Sequence, residues 1–461
     1  MPKAQSLQAN PLGTESVGKL LFKFAVPSIV SGLVGAFYNI VDQFFIGQGV
    51  GMLGNAATNV AFPLNTICIA AALLLGIGSA SGFSLALGAG KKEEASRIVS
   101  GGATLMILLG CLLAALVLLF LEPMLLLFGA SSGVLPYAVT YTGITAFGMP
   151  FLIFSTGFSS LIRSDGSPTY SMVCVIVGAV LNTILDPLFI FTLDMGMAGA
   201  AWATVIGQGV SAVLCFIYLF RFRSVRLVRR DFLPKPATVK HICALGAAAC
   251  FNQLAMTVVQ IVMNNALTFY GATSRYGPDI PLAVVGIITK VYFIFLSVII
   301  GISQGNQPIV GFNYGAKQYE RVKKTYRNAV IAASVVAVAG FLCFQLFPRE
   351  IISLFGGGSE DYYHFAERYF RIFMMMFFLI GIQPVTANFF TSLGHAKLGI
   401  FLSLTRQILF LLPLILLFPR LFGIDGIMYA GPIADLAAAI LALVLVRREM
   451  IRMDAKAKEE G

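Results

Sequence analysis

Twelve apolar stretches between residues 22 and 446 constrain this chain more than any other feature in it. Each is about as long as the roughly 20 residues a helix needs to cross a bilayer. In hydrocarbon every backbone N–H and C=O must find its partner inside the protein, so only helices and closed barrels span, and runs of this length select helices. The chain is 58% hydrophobic and 11% charged, whereas a soluble domain carries about 25% charged residues. An all-α integral membrane protein is expected, with little chain left for a soluble domain. The first twenty residues are polar and hold no cleavable signal peptide, so the first span is expected to direct insertion.

Charge sets the expected orientation. Of 32 Lys and Arg, only Arg275, Arg349, Arg368, Arg371 and Arg420 fall in connections on one side, while Lys290 and Arg406 fall within spans. The remainder, from Lys3, Lys19 and Lys23 to the linker and the carboxyl tail, share the other side. By the positive-inside rule both termini are cytoplasmic in a multi-pass protein of the cell membrane. The net charge of +11 then reflects topology and contact with anionic lipid, not a nucleic-acid partner. The seven cysteines all lie in apolar spans without a CxxC pair, which fits small buried hydrophobes better than disulfides or metal ligands.

A weak internal repeat divides the spans into two sets of six. Near an offset of 227, Phe128-Gly129 matches Phe355-Gly356, and Gly196, Gly199 and Trp202 match Gly423, Gly426 and Tyr429. Gly88-Ala89 matches Gly315-Ala316, and with one residue of slippage Ser164 and Gly166 match Ser392 and Gly394. Six spans return the chain to its starting side, so the repeats are parallel in topology, as in alternating-access transporters. The expected organisation is an amino-terminal lobe (1–220), a basic cytoplasmic linker (221–240) and a carboxyl-terminal lobe (241–461), pseudo-symmetric about a central cavity. The stretch Gly88–Val99 reads as a short surface helix and lacks GxxxxGK[ST], so a nucleotide-driven pump has no support.

Polar residues at membrane depth carry the chemistry. The first span holds Pro27, Asn39 and Asp42, and an aspartate there costs roughly 2.5–3.5 kcal/mol on insertion scales. The fifth holds Asp186, followed by Pro187, with Asn182 one turn earlier on the same face. At 1.5 Å per residue Asp42 lies roughly 30 Å and Asp186 roughly 25 Å from the cytoplasmic ends of their helices. Tyr141 on the fourth span and Thr204 on the sixth reach the same outer half, and Gln208 follows Thr204 by four residues. The seventh span carries Gln253, Thr257, Gln260 and Asn264 along one stripe without any acid. The tenth, a continuous helix over 365–392 in this reading, carries Met375 and Gln383. Lys290, Arg406 and Asp435 read as a structural ion group inside the second lobe.

Four segments in order now carry a resemblance: PSIVSGLVGAFYNIVDQFFIGQ in the first span, LGAGKKEEASRIV after the second, LNTILDPLFIF in the fifth and GFNYGAKQYERV after the eighth. Over residues 15–450 the chain resembles the multidrug and toxic compound extrusion (MATE) family of secondary exporters. The resemblance implies two lobes around a cavity that opens alternately to each side, with export of organic cations driven by a proton or sodium gradient. It implies that Asp42 and Asp186 match the acidic pair of the amino-terminal lobe that carries the coupling ion. Asn182 and Thr204 match accompanying ligands, Tyr141 matches more loosely, and Pro27 matches the proline at which the first helix bends. Relatives that place carboxylates on the seventh and tenth spans have no counterpart here.

The function expected is export of cationic amphipathic compounds by a monomer, without cofactor or bound metal. The coupling ion is H+, or alternatively Na+ held at Asp42 and Asp186. The rival is a flippase or exporter of lipid-linked or other anionic precursors, for which Lys290 and Arg406 speak. An enzyme is not expected: His241, His364 and His395 sit near span ends and none belongs to an HExxH. For orientation, a cysteine at Ser224 should resist an impermeant thiol reagent in intact cells and react after lysis; labelling of intact cells would invert the topology.

Overall fold

The computed structural model describes residues 10–355 and 358–460; Lys3 and Gly356, part of the charge and repeat patterns, lie outside them. The described residues form helices and connections, without strands. The first six spans are α1 (Val17–Gly49), α2 (Met52–Gly88), α3 (Lys92–Leu119), α4 (Leu135–Ser164), α5 (Pro168–Thr192) and α6 (Gly196–Leu219). The second six are α7 (Pro236–Ala272), α8 (Asp279–Gly315), α9 (Tyr319–Leu346), α10 in two pieces, α11 (Ala396–Phe422) and α12 (Ile424–Glu459). In the first lobe α4 packs on α2, α3, α5 and α6, and α1 packs on α5; in the second α8 packs on α9 and α10, and α7 and α12 on α11. The repeat is visible in the backbone. Gly196 and Gly423, which open α6 and precede α12, have φ of 52° and 60°, and Gly166 and Gly394 have 87° and 83°.

Two expectations are corrected here. Gly88–Val99 holds no separate surface helix, because α3 starts at Lys92 and runs unbroken to Leu119. Glu93 and Glu94 stand in its first turn, where carboxylates are favoured by the unpaired N–H groups of a helix start. Nor is the tenth span continuous. Glu360–Phe373 and Phe377–Ser392 meet at 43° across Met374–Met376. The break deprives the Arg371 carbonyl of its helical donor, and Gln345 Nε2 donates to it at 3.2 Å. A freed carbonyl at membrane depth needs such a partner.

The two lobes meet along α1, α2, α7 and α8. At the end of α2 a Cβ on Gly88 would stand 2.0 Å from the Phe312 carbonyl oxygen, and one on Gly315 would stand 2.2 Å from that of Leu85. Gly315 and Phe312 are the repeat counterparts of Gly88 and Leu85, so this is one contact made twice about a pseudo-two-fold axis. Beside it Gln307 Nε2 crosses the seam to donate to Ser81 Oγ at 2.8 Å and the Ile77 carbonyl at 3.2 Å.

The same face gathers the basic loops and the chain ends. Asn313 Nδ2 and an Arg321 nitrogen donate to the Leu12 carbonyl at 3.0 and 3.1 Å, and Lys323 pairs with Asp454. Asp165, between α4 and α5, accepts from Tyr218 Oη and the Arg223 and Ser224 N–H groups of the linker at 2.8, 2.8 and 2.9 Å. Burial holds the Asp165 carboxyl above its ordinary range against the pull of these donors. Ser96 Oγ donates to the Arg226 carbonyl at 3.0 Å. Ser224 is thus half-buried, whereas Leu233 is 83% exposed, and a cysteine at Leu233 reads orientation more cleanly.

Away from this basic face the lobes part. Gly32 on α1 still touches Ser297 on α8, but one turn on, Gly35 faces open space, as does Gly286. The molecule is closed at the basic face and open as a cleft toward the other. Gly315→Ala should wedge the seam, since overpacking of this kind costs about 1–3 kcal/mol. Spin labels at Lys91 and Lys397, exposed on the basic face of the two lobes, should then show a longer or broader distance distribution. An unchanged distribution would mean that the glycine approach does not hold the closed face.

Candidate functional site

Four helices of the first lobe each aim a pair of polar side chains, four residues apart or nearly so, at one point. Helix α1 supplies Tyr38 and Asp42, α5 supplies Asn182 and Asp186, α6 supplies Thr204 and Gln208, and α4 supplies Tyr141 and Thr145. Spacings of three and four put such pairs on a single face. Pro187 gives α5 its local shape: it lacks the N–H that would reach the Thr183 carbonyl, and the helix widens to a π turn over Leu188–Thr192.

Asp186 is fully buried, Asn182 is 2% exposed and Asp42 is 7% exposed. Thr204, which Asn182 joins to Asp186, lines one small cavity with Asp42, so the two carboxyls stand as near neighbours in the same lobe. Asp42 Oδ1 is buried with no partner. With its amide turned so that both ends are satisfied, Asn182 donates to Asp186 Oδ2 at 3.1 Å and accepts from the Thr204 N–H at 3.2 Å. Tyr38, Tyr141 and Thr204 line the same small cavity as Asp42. Two buried carboxylates that share neighbours repel each other, so ionising both is costly unless a proton or a cation is bound beside them.

Above the pair lies a cavity of about 90 Å³, lined among others by Tyr38, Asp42, Asn65, Tyr141, Thr204 and Gln208. A drug-sized ligand occupies roughly 300–1,000 Å³, so this recess is too small for one. At roughly 10–15 Å³ for each water centre, it admits an ion and a few waters. No cluster of three or more His, Cys, Asp or Glu suited to a transition metal occurs among the described residues. Two acids ringed by hydroxyl and amide oxygens fit a proton or a hard monovalent cation.

The structure therefore brings Asp42, Asp186, Asn182, Thr204 and Tyr141 together. It adds Tyr38, which sequence reasoning missed although its place four residues before Asp42 was the available signal. Asn39 stands exposed at the mouth and donates back to the Gly35 carbonyl at 2.8 Å. Gln208 lies on the cavity wall against Gly148. Gln253, Thr257, Gln260 and Asn264 continue the face of α7 that starts at Gly246, where a Cβ would stand 1.7 Å from the Leu74 carbonyl oxygen. That stripe faces the first lobe, and so lines the cleft above the seam.

Other candidates lie elsewhere. Gln383 is buried inside the second lobe and donates to the Leu402 carbonyl, so it does not reach a cavity. Met375 is 46% exposed at that break, apart from the acidic pair. Arg406 and Asp435 form a buried pair, but Lys290 does not join them: it is exposed, with no ion pair or hydrogen bond among the described residues. Pro27 sits within an unbroken α1, between Ala25 and Ile29, which touch Gly305 and Gly301 of α8.

The MatE family model matches residues 27–188 and 248–417. The multidrug export protein MepA of Staphylococcus haemolyticus (strain JCSC1435) is 25% identical over 434 residues, covering 94% of this chain and 93% of that protein. The structure of a multidrug resistance MATE family transporter in an outward-facing conformation superposes with a TM-score of 0.88 at 23% identity, covering 98% of this chain and 99% of the other. A second, of MATE in the bent conformation, gives 0.89 at 22% identity and covers 99% of both chains. At such identities the likeness to solved structures is one of fold.

The amide of Asn182 bridges two groups that have few alternatives. Asn182→Leu should cost about 1–3 kcal/mol, because it leaves a buried carboxyl oxygen without its donor. Gln253→Leu, on the open cleft wall, should cost less than about 0.5 kcal/mol. Thermal unfolding of both purified variants checks this, and equal losses would remove Asn182 from its bridging role.

Proposed function

The chain belongs to the MatE family, the multidrug and toxic compound extrusion transporters, and from that premise we propose that it is an ion-coupled exporter of cationic amphipathic compounds. The observation that carries this reading is the buried pair Asp42 and Asp186, linked through Asn182 and Thr204 beside a cavity sized for an ion and not for a drug. In this reading the basic face is cytoplasmic, the protein crosses the plasma membrane many times, and the cleft opens outward. The compound binds in the cleft between the lobes, against the polar stripe of α7 and the apolar walls. The ion binds in the recess of the first lobe.

Coupling then follows from charge. With the pair ionised, the recess attracts cations toward the cleft; with a proton or sodium ion bound, that attraction falls. A ligand shifts the balance of two conformations only by its different affinity for each. A site that closes around its ion on one side, and releases it on the other, meets that condition. Pro27 leaves the Lys23 carbonyl without a helical donor, so α1 can bend there and move Asp42, roughly 22 Å further along the helix. The proton is the proposed coupling ion, since two neighbouring buried carboxyls suit proton exchange. Asn182 and Thr204 offer the neutral oxygens that sodium would use.

The test is uptake of a fluorescent organic cation by vesicles holding the purified protein, under a pH or a sodium gradient. Asp42→Asn and Asp186→Asn should each abolish the response to the gradient while the compound still binds. Pro27→Ala should slow turnover and keep the response. Glu122→Gln, on an exposed side chain, is the control; Asp435→Asn is unsuitable, because it would strand Arg406 at a cost of about 3–5 kcal/mol. Gradient-driven transport that survives in both aspartate variants would end the mechanism, whichever ion drives it.

A further inference from the structure

The register of α1 against α8 places an unpaired lysine opposite the acidic recess. Three contacts define that register: Ala25 touches Gly305, Ile29 touches Gly301, and Gly32 touches Ser297. As residue numbers rise along α1 they fall along α8, so the helices are antiparallel, and continuing the count sets Lys290 level with Asn39. The faces agree as well. Lys290 precedes Ser297 by seven residues and Gly301 by eleven, and Asn39 follows Gly32 by seven, so each lies on the face its helix turns to the other lobe. Gly35 and Gly286 show that the helices have already parted at this level. Lys290 and Asn39 therefore face each other across the open cleft. Asp42 stands three residues beyond Asn39, about 4.5 Å further along the axis.

Nothing inside the second lobe accounts for this ammonium. Arg406 and Asp435 neutralise each other. Lys290 is exposed, and no carboxylate pairs with it among the described residues. A charge at membrane depth is retained only where a watery cavity or a partner receives it. The α7 stripe beside it is neutral, so Lys290 is the charged group that the described part of α7 and α8 presents at this level. The cleft thus has one acidic wall, recessed in the first lobe, and one cationic point on the second.

We infer that Lys290 is a specificity-determining residue that binds an anionic group of the exported compound, so that the cleft favours amphoteric molecules with an amine at one end and a carboxylate or sulfonate at the other. This rests on the export reading above and narrows its substrate class. The amine faces the Asp42 recess while the acid group reaches across to Lys290. A compound carrying phosphates alone meets Lys290 but also meets the acidic recess, which disfavours a purely anionic cargo.

The experiment compares two probes in the same vesicles: an aromatic compound bearing an amine and a carboxylate, and its carboxamide, which keeps the amine and loses the negative charge. The readout is the ratio of their KM values in wild type, Lys290→Gln and Lys290→Arg. Because Lys290 is exposed and makes no ion pair or hydrogen bond among the described residues, both variants should fold, as their unfolding temperatures will report. Wild type should prefer the carboxylate. A charge-assisted hydrogen bond of ordinary strength predicts that Lys290→Gln erodes the preference about tenfold, and that Lys290→Arg restores most of it. The same ratio in all three proteins would overturn the assignment while leaving export intact. Failure of wild type to move either probe would overturn the export reading and the inference together.

Discussion

The backbone-to-backbone approach of α2 and α8 at Gly88 and Gly315 is the contact on which the rest of the architecture depends. In lipid there is no hydrophobic drive to bring helices together, so association relies on close packing, and glycine permits the closest. Here it lets two carbonyls approach where a methyl group would collide. Because each glycine meets the repeat counterpart of the other's partner, the seam is self-complementary in the way a two-fold dimer interface is. The point of contact fixes where the lobes separate, and therefore how deep the cleft reaches. Lys290 is a cleft residue, and the recess that holds Asp42 opens toward the cleft, only because both lie beyond that point.

The division of labour between the recess and the cleft follows from size. A cavity of about 90 Å³ suits an ion, and the wider space between lobes suits a compound. The carboxyls are withdrawn behind Tyr38, Tyr141 and Thr204, in surroundings where a bare charge is costly and a bound ion offsets the cost. The second lobe keeps its own buried charges neutral through Arg406 and Asp435. Its wall of the cleft is polar but uncharged along α7, which leaves the field of the cleft to be set by the aspartates on one side and Lys290 on the other.

Much of the site was legible in the chain because helical spacing is a local property. Asn182 and Asp186 had to share a face, and equal depth put Asp42 with them. Tyr38 obeyed the same rule and was passed over because a tyrosine in an apolar run reads as packing. What could not be read depends on neighbours. The break at Met374–Met376 contains neither proline nor glycine, so Gln383 looked like a cavity residue when it is tied to Leu402. Lys290, Arg406 and Asp435 formed one group by composition, and only the rotation of α8 shows that the lysine turns the other way. The direction in which the cleft opens depends on which ends of α1, α2, α7 and α8 touch, which a linear pattern does not record.

The linker has a mechanical consequence of its own. Its first half is stitched to the amino-terminal lobe through Asp165 and Ser96, and a short 3-10 turn closes it at Arg229–Phe232. Helix α7 begins at Pro236, so the tether between the lobes is Leu233, Pro234 and Lys235, of which Pro234 lies against Gly101 of α3. Three residues at full stretch span about 10 Å, and proline fixes one of the six backbone angles that could adjust. The lobes are therefore on a short leash. They can tilt about the basic face but cannot slide apart there by more than the length of that tether, so the stroke of the machine is set as much by three residues outside the membrane as by the helices within it.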